Sequence, residues 1–541
     1  MITADLVLRR GNIMTFDPQR PRVQALAIGG ERILAFGEEA EALIGPETKV
    51  IDLAGRSVIP GLFDSHIHTV MGGLNEIAVS LEGARSLADV QAAFAARAKT
   101  TPKGAWIRGS SAWHESQLVE GRLPNRFELD AVTPDHPVIM RRGGHVVVGN
   151  SAALAIAGIT KAAPDPQHGV IVRDPATGEP TGVLVERAAF NLLLKHVPPP
   201  SRGEYVEGLT AFTKKLNSRG ITSTLEPGLT LEEIAAYMEL WRRKAMTTRV
   251  RILQRVHCVD DVEALSSVLA PDFGDDRLRI GGFKFSADGG IEAAFMHDFY
   301  RIVEGEQTDP KFVGKLVLPP GGLAELKEMF TIAASRGWQF QVHMVGDAAI
   351  DAILDLVEEV AEKYPLGELR WTMVHIFLPS ERALARIKRL GLRATVQDQP
   401  VKLGHNMVRY WGEERAAKSI PIKSILAAGI PTGGGTDAPV VGWNPFESIW
   451  WMTTRQVYTQ NATRVLGAEE AIDRAVALDL YTKGSAETCF MEEKIGTLEP
   501  GKFADLAVLT DDPITVPADR LRELRSALTL LGGRIVHREG L

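Results

Sequence analysis

The sequence predicts an α/β protein: a (β/α)8 TIM barrel with an insertion after its first strand, plus a small β-sandwich domain built from both chain termini. Three observations predict it. Apolar strand-like runs alternate with amphipathic helical stretches through the middle of the chain, the pattern of buried parallel strands joined by helical crossovers. The first and second of those runs lie roughly 150 residues apart, far beyond a normal crossover. Both ends of the chain are rich in short strands and turns.

At the start, strands are expected over residues 4–9, 12–15, 23–28 and 32–37, separated by Gly, Pro and charged breaks. The last 50 residues look alike, with a Gly496-to-Gly501 turn followed by strands over 504–509, 528–531 and 534–538. Chain termini often lie close together, so 1–57 and 490–541 are expected to build one β-domain. The barrel is expected over 58–489. Its first strand runs into His66, and the other seven are read over 221–226, 249–256, 280–287, 339–344, 370–376, 393–397 and 430–436. Helices over 323–335 and 348–363 fall between strands. Residues 71–205 are read as an insertion over the mouth of the barrel.

Composition excludes several classes. The 541 residues are 45% hydrophobic and 24% charged, ordinary for a globular enzyme. The net charge of −7, from 61 basic and 68 acidic residues, is spread along the chain. No basic run points to nucleic acid or an anionic membrane. The start, MITADLVLRRGNIMTFD, lacks a basic segment followed by an apolar one, so no signal peptide is expected. No apolar stretch is long enough to span a bilayer. Cys258 and Cys489 form no disulfide framework, which fits a reducing cytoplasm. Each reads as a small buried apolar group.

The most informative segment is Val58-Ile-Pro-Gly-Leu-Phe-Asp-Ser-His66-Ile-His68-Thr69. A strand has a side-chain period of 2, so His66 and His68 point to one face and can chelate one divalent metal. The bland alternative is two polar residues at a strand end. Active sites of barrels gather at the C-terminal ends of the strands. Strand 4 carries Lys284 there, strand 5 His343, strand 6 His375 and strand 8 Asp437. Alone, each has a structural reading: a satisfied imidazole, a lysine paired with a carboxylate, an aspartate capping a helix. Five strand ends agreeing points to metal.

These residues and four further segments resemble the amidohydrolase superfamily, in the branch called amidohydrolase family 3, whose members include N-substituted formamide deformylase-like proteins. The segments begin at Gly144-His145-Val-Val-Val-Gly-Asn, Lys284-Phe-Ser-Ala-Asp288-Gly, Val342-His343-Met-Val-Gly-Asp347 and Gly496-Thr-Leu-Glu-Pro-Gly-Lys. The resemblance covers nearly the whole chain. It implies that His66 and His68 hold the more buried of two metals and that His343 and His375 hold the second. It implies that Lys284 bridges them as a carbamate formed with CO2. It makes Asp437 the general base, able also to touch the first metal, taking a proton from water and returning it to the leaving amine. A carbamate is an anionic oxygen ligand, whereas an ammonium repels a cation. Zinc is the default for these donors, with manganese, iron or nickel compatible. Asp288 and Asp347 read either as partners that orient a ligand or as helix caps.

In the same resemblance the His145 region touches substrate, with Trp113 and Asp288 as further candidate contacts; a structural loop is the other reading of His145. The segment 289–320 contains Phe295, His297, Phe299 and Tyr300 and reads as a lid. Trp443, Phe446, Trp450 and Trp451 follow strand 8 and suggest an apolar or aromatic substrate group, with helix packing as the competing role for Trp450 and Trp451. The expected activity is hydrolysis of a C–N bond of amide type in a small molecule by a homo-oligomer. Ester or lactone hydrolysis shares the first step. A deaminase would place a Glu on the helix after the strand 5 or 6 histidine, and His343 is followed by Met-Val-Gly-Asp, with no HxxE. A non-catalytic scaffold would be expected to have lost ligands, and all six are present.

Overall fold

Eight parallel strands pair in chain order in a computed structural model of the protein. The structure describes residues 3–541 apart from 112, 114, 143–145, 167–168, 303–310 and 460–461. Strands 1 to 4 are Leu62–Asp64, Ile221–Leu229, Arg249–Arg255 and Leu278–Ser286. Strands 5 to 8 are Gln339–Met344, Thr372–His375, Arg393–Gln397 and Thr432–Gly435. This is the expected (β/α)8 barrel, nearly closed. Its strands are buried almost throughout, as strands covered on both faces must be. The helix Asp347–Ala361 shows why the outer layer forms: Ile350, Ile353, Leu354, Val357 and Val360 recur every three or four residues and are all buried. Phe330 of the preceding helix meets Phe340 and Trp371 edge-on, at 4.8 and 5.3 Å between ring centres.

The apolar run that leads to His66 is divided between two sheets. Ser57–Pro60 pairs antiparallel with Leu506–Leu509 in a six-stranded sheet made from both chain ends, whereas Leu62–Asp64 opens the barrel. Gly61 is the joint, and a Cβ there would lie 2.1 Å from the Thr222 hydroxyl. The six-stranded sheet shares one apolar core with a four-stranded sheet of the N-terminal segment. Leu6, Leu8, Leu26 and Ile28 of one sheet meet Ile13, Val58, Val508 and Leu528 of the other.

Residues Thr69–Phe212 form a second compact unit. It contains a five-stranded sheet, with strands in the order Val170–Arg173, Pro180–Val185, Val146–Gly149, Val138–Arg142 and Ile107–Gly109. Its cores include Val90, Phe94, Trp113 and Met140 on one side and Leu154, Leu184 and Phe190 on the other. No helix among the described residues is long and apolar enough to cross a membrane.

The C-terminal strands are bolted to the barrel by a buried ion pair. Arg249 at the start of strand 3 donates to both carboxylate oxygens of Asp505, at 2.6 and 3.0 Å, and Gly532 N adds a third bond to Asp505 at 2.6 Å. Both side chains are at most 3% exposed. Removing one partner strands the other charge in a dry interior, at a cost of about 3–5 kcal/mol. Asp505→Ala should therefore lower the free energy of unfolding, read from denaturant titration, by that amount, and a value within error of the wild type would contradict the role given to the pair.

Candidate metal centre

The first and last strands of the barrel close on each other around a buried carboxyl group. Asp64 accepts hydrogen bonds from His66 N at 3.2 Å, from Thr436 N at 3.1 Å and from the Thr436 hydroxyl at 2.7 Å. Burial pushes it up to about 7, against those bonds. Asp437 N donates to His66 O at 2.8 Å and His68 N to Ala438 O at 2.7 Å. The approach explains the glycine run before Asp437: a Cβ on Gly435 would stand 2.8 Å from His66 N.

This seam delivers His66, His68 and Asp437 to one place. Asp437 Oδ1 lies 3.2 Å from His68 Nε2 and 3.4 Å from His66 Nε2, yet makes no hydrogen bond among the described residues. The ligand atoms of His66, His375 and Asp437 all lie within 4.8 Å of one another. His375 sits between His66 and His343, its ring centre 4.9 and 4.6 Å from theirs. Two of these positions, and the neighbour of one, carry strained backbone: φ is +71° at His375, +56° at Asp437 and +36° at Ile376. Left-handed backbone at non-glycine residues persists only where the surroundings enforce it.

Neighbouring groups fix the protonation of each ring. The ring nitrogen Nδ1 of His375 is 2.6 Å from Gln397 Oε1, which can only accept, and 3.1 Å from Gln399 Nε2, which can only donate; the shorter contact favours the proton on Nδ1, with Nε2 free to ligate. Gln399 Nε2 donates to Asp437 Oδ2 at 2.8 Å. His343 Nε2 donates to Gly289 O at 3.2 Å and lies 3.5 Å from Asp288 Oδ1, leaving Nδ1 free. Asp288 itself accepts from Val345 N, Gly346 N and Phe295 N, and burial pushes it up to about 7. It thus anchors the turn that carries His343. Asp347 accepts from His297 N and, among the described residues, bonds to no ligand ring.

Burial keeps the imidazoles neutral. It lowers His66 to about 3 and His343 to about 4, and holds His375 well below the ordinary range. Burial also favours the neutral form of Asp437, but the neighbouring His66 and His68 imidazoles outweigh it, and the carboxyl stays well below the usual range. Lys284 is 6% exposed, and its Nζ has no hydrogen-bond partner among the described residues. Burial lowers it to about 7, with Asp437 opposing and Arg255 adding to the fall. Neutral imidazoles, a carboxylate oxygen without a bond and an unpartnered amine fit a divalent cation. Zinc, manganese, iron and nickel are all compatible with the set.

The chain belongs to the amidohydrolase family. The family match spans residues 49–537. Putative amidohydrolase YtcJ of Bacillus subtilis is 29% identical over 502 residues, covering 91% of each chain. An N-substituted formamide deformylase of Arthrobacter pascens is 28% identical, covering 98% of this chain and 97% of its own. Among solved structures, an uncharacterized metal-dependent hydrolase from Pyrococcus horikoshii superposes with a TM-score of 0.76 at 26% identity, over 95% of this chain and 99% of its own. Family and donor set together support a metal-dependent hydrolase.

Trp113 is buried in the core of the second unit, its indole N–H donating to Arg141 O at 2.6 Å, so face and donor are both committed there. His145 lies outside the described residues. The segment after strand 4 is fastened rather than free over its first part: Phe295 N is held by Asp288, His297 by Asp347 and Asp351, and the Tyr300 hydroxyl donates to Ala294 O at 3.0 Å. Phe446, Trp450 and Trp451 are buried, with Arg522 over Trp450 and Arg455 over Trp451. Trp443 lies under Lys215 and Arg219. Phe446, Trp450 and Trp451 are packing residues and carry no argument for an aromatic substrate. Sequence reasoning missed Asp64, Gln397 and Gln399; polar residues at strand ends beside ligands were the only signal.

Partners that orient metal ligands are worth about 10–100-fold in metal affinity. Gln397→Ala should weaken zinc binding by that factor in equilibrium dialysis, and unchanged affinity would remove Gln397 from the site. The lowered values of His66 and His343 mean that neither ring takes up a proton between pH 7.5 and 5.5 in the metal-free protein. Histidine ring NMR over that range should show both resonances flat; a midpoint near 6.5 would contradict the desolvation argument.

Proposed function

We propose that this chain hydrolyses a C–N bond of amide type in a small molecule, such as an N-substituted formamide, a carbamate or a cyclic amide. The observation that carries the reading is the gathering of His66, His68, His343, His375 and Asp437 around buried polar atoms without partners. His66, His68 and Asp437 would hold one cation and His343 and His375 a second, with Lys284, as its carbamate with CO2, between them. Lys284 supports this by its environment: an amine lowered to about 7 is in large part unprotonated near neutral pH, the form that reacts with CO2.

A divalent cation bound there supplies hydroxide near neutral pH and polarises a carbonyl. The protein's part is proton transfer and orientation. Asp437 Oδ1 has lone pairs free to take the proton of the attacking water, while Gln399 holds Oδ2. The same oxygen then protonates the leaving nitrogen, without which an amine departs poorly. Ester or lactone cleavage would use the same first half. A deaminase is disfavoured, because His343 is followed by Met344-Val345-Gly346-Asp347, with no HxxE. Cys258 and Cys489 are unpaired, in keeping with a reducing cytoplasm.

A screen of formanilides, carbamates, cyclic amides and lactones with the zinc-loaded protein tests the reading. Turnover lost on chelation and restored by metal is expected; no hydrolysis of any class with zinc or manganese bound would overturn it. In the same assay Asp437→Asn should keep most of its metal and lose about 10²–10⁴-fold in kcat, the usual worth of a general base. Wild-type kcat in that variant would remove Asp437 from the proton transfer.

A further inference from the structure

Arg255 ends strand 3 and is exposed. Among the described residues its side chain makes no hydrogen bond and no ion pair, unlike Arg249 and Arg251 of the same strand, which hold Asp505 and Asp272. Its direction is fixed twice over. Arg255 stands in register with Lys284 on strand 4, and paired residues of parallel strands face the same way. Gly228 of strand 2 provides the second measure: a Cβ there would come 3.4 Å from Arg255 Nε and 3.5 Å from Lys284 Cγ. The guanidinium therefore lies alongside the stem of Lys284, on the lumen side of the barrel mouth. Ser286 lies two residues beyond Lys284 on the same face, in register with His343, and is also exposed.

We infer that Arg255, with the Ser286 hydroxyl beside it, receives a carboxylate of the substrate at the mouth of the barrel. This rests on the hydrolase reading of the metal centre and narrows its substrate to an amide that carries an anionic group. Among the described residues no carboxylate pairs with Arg255, and a carbamate on Lys284 would be engaged by the cations that the site fits, which make the mouth more positive still. A guanidinium fork binds a carboxylate through two charge-assisted hydrogen bonds, and a positive rim raises the capture rate of anions.

The test uses two probes with the same scissile bond, 4-formamidobenzoate and formanilide, on the zinc-loaded enzyme. The wild type should favour the anion at least tenfold in kcat/KM. Arg255→Ala should cut that preference at least tenfold, and Arg255→Lys should retain part of it. An equal preference in wild type and Arg255→Ala would overturn the assignment. So would a loss of bound zinc in Arg255→Ala that parallels the loss of rate, because the residue would then support the metal site. Binding is read separately by calorimetric titration with 4-aminobenzoate and aniline, so that absent turnover bears on the hydrolysis reading alone. Binding of 4-aminobenzoate that weakens at least tenfold in Arg255→Ala supports the site even then, and equal or undetectable binding overturns it.

Discussion

The Asp64 carboxyl holds the seam on which the site depends. The eight-stranded sheet runs in order from strand 1 to strand 8, and the two end strands meet through individual bonds rather than a regular ladder. Asp64 joins them by accepting from His66 N on one side and from Thr436 N and Oγ on the other. A carboxyl group with no exposure is costly to bury, and three donors offset that cost. His66 and His68 follow it on strand 1, and Asp437 follows Thr436 on strand 8. The donors meet only because the seam closes, and it closes this tightly only because Gly435 has no side chain.

The same burial that shapes the seam sets the chemistry. Taking imidazoles out of water removes their protons, which is the state a cation requires. Taking Lys284 out of water lowers its hold on a proton. The cost appears in the polar atoms left without partners and in the left-handed backbone at His375, Ile376 and Asp437. Such strain is typical of sites kept for function rather than stability. The aromatic layer of Phe330, Phe340 and Trp371 and the Arg249–Asp505 bolt stabilise the frame that bears it.

The sequence makes the ligands legible because a strand repeats every two residues and each ligand ends an apolar run. The barrel strands could be placed within a few residues for the same reason: strand 5 and strand 7 fall at the expected bounds. The run before His66 was harder. It is one continuous apolar stretch in the sequence and two strands of different sheets in the structure, and only the contact of Gly61 with Thr222 marks the break. Asp64, Gln397 and Gln399 escaped because their partners lie far off in the chain: Asp64 and Thr436 are 372 residues apart. The aromatics after strand 8 misled because a tryptophan that packs under an arginine looks, in sequence, like one that lines a pocket.

Arg255 was invisible for a subtler reason, which lies in the register between strands 3 and 4. Ile252 pairs with Ile280, but Leu253 pairs with Gly282, so strand 4 holds one extra residue, Gly281. Without that bulge Arg255 would align with Phe283, whose ring packs against Trp338 and Phe340 at 5.2 and 6.0 Å. A one-residue slip exchanges the two faces of a strand relative to its neighbour. Here it brings a guanidinium beside Lys284 instead. Gly281 permits the bulge because the Arg251 guanidinium occupies the position its side chain would need and donates to its carbonyl at 3.1 Å. A buried arginine in the wall thus governs where an exposed arginine at the rim points, and no local sequence pattern encodes that relation.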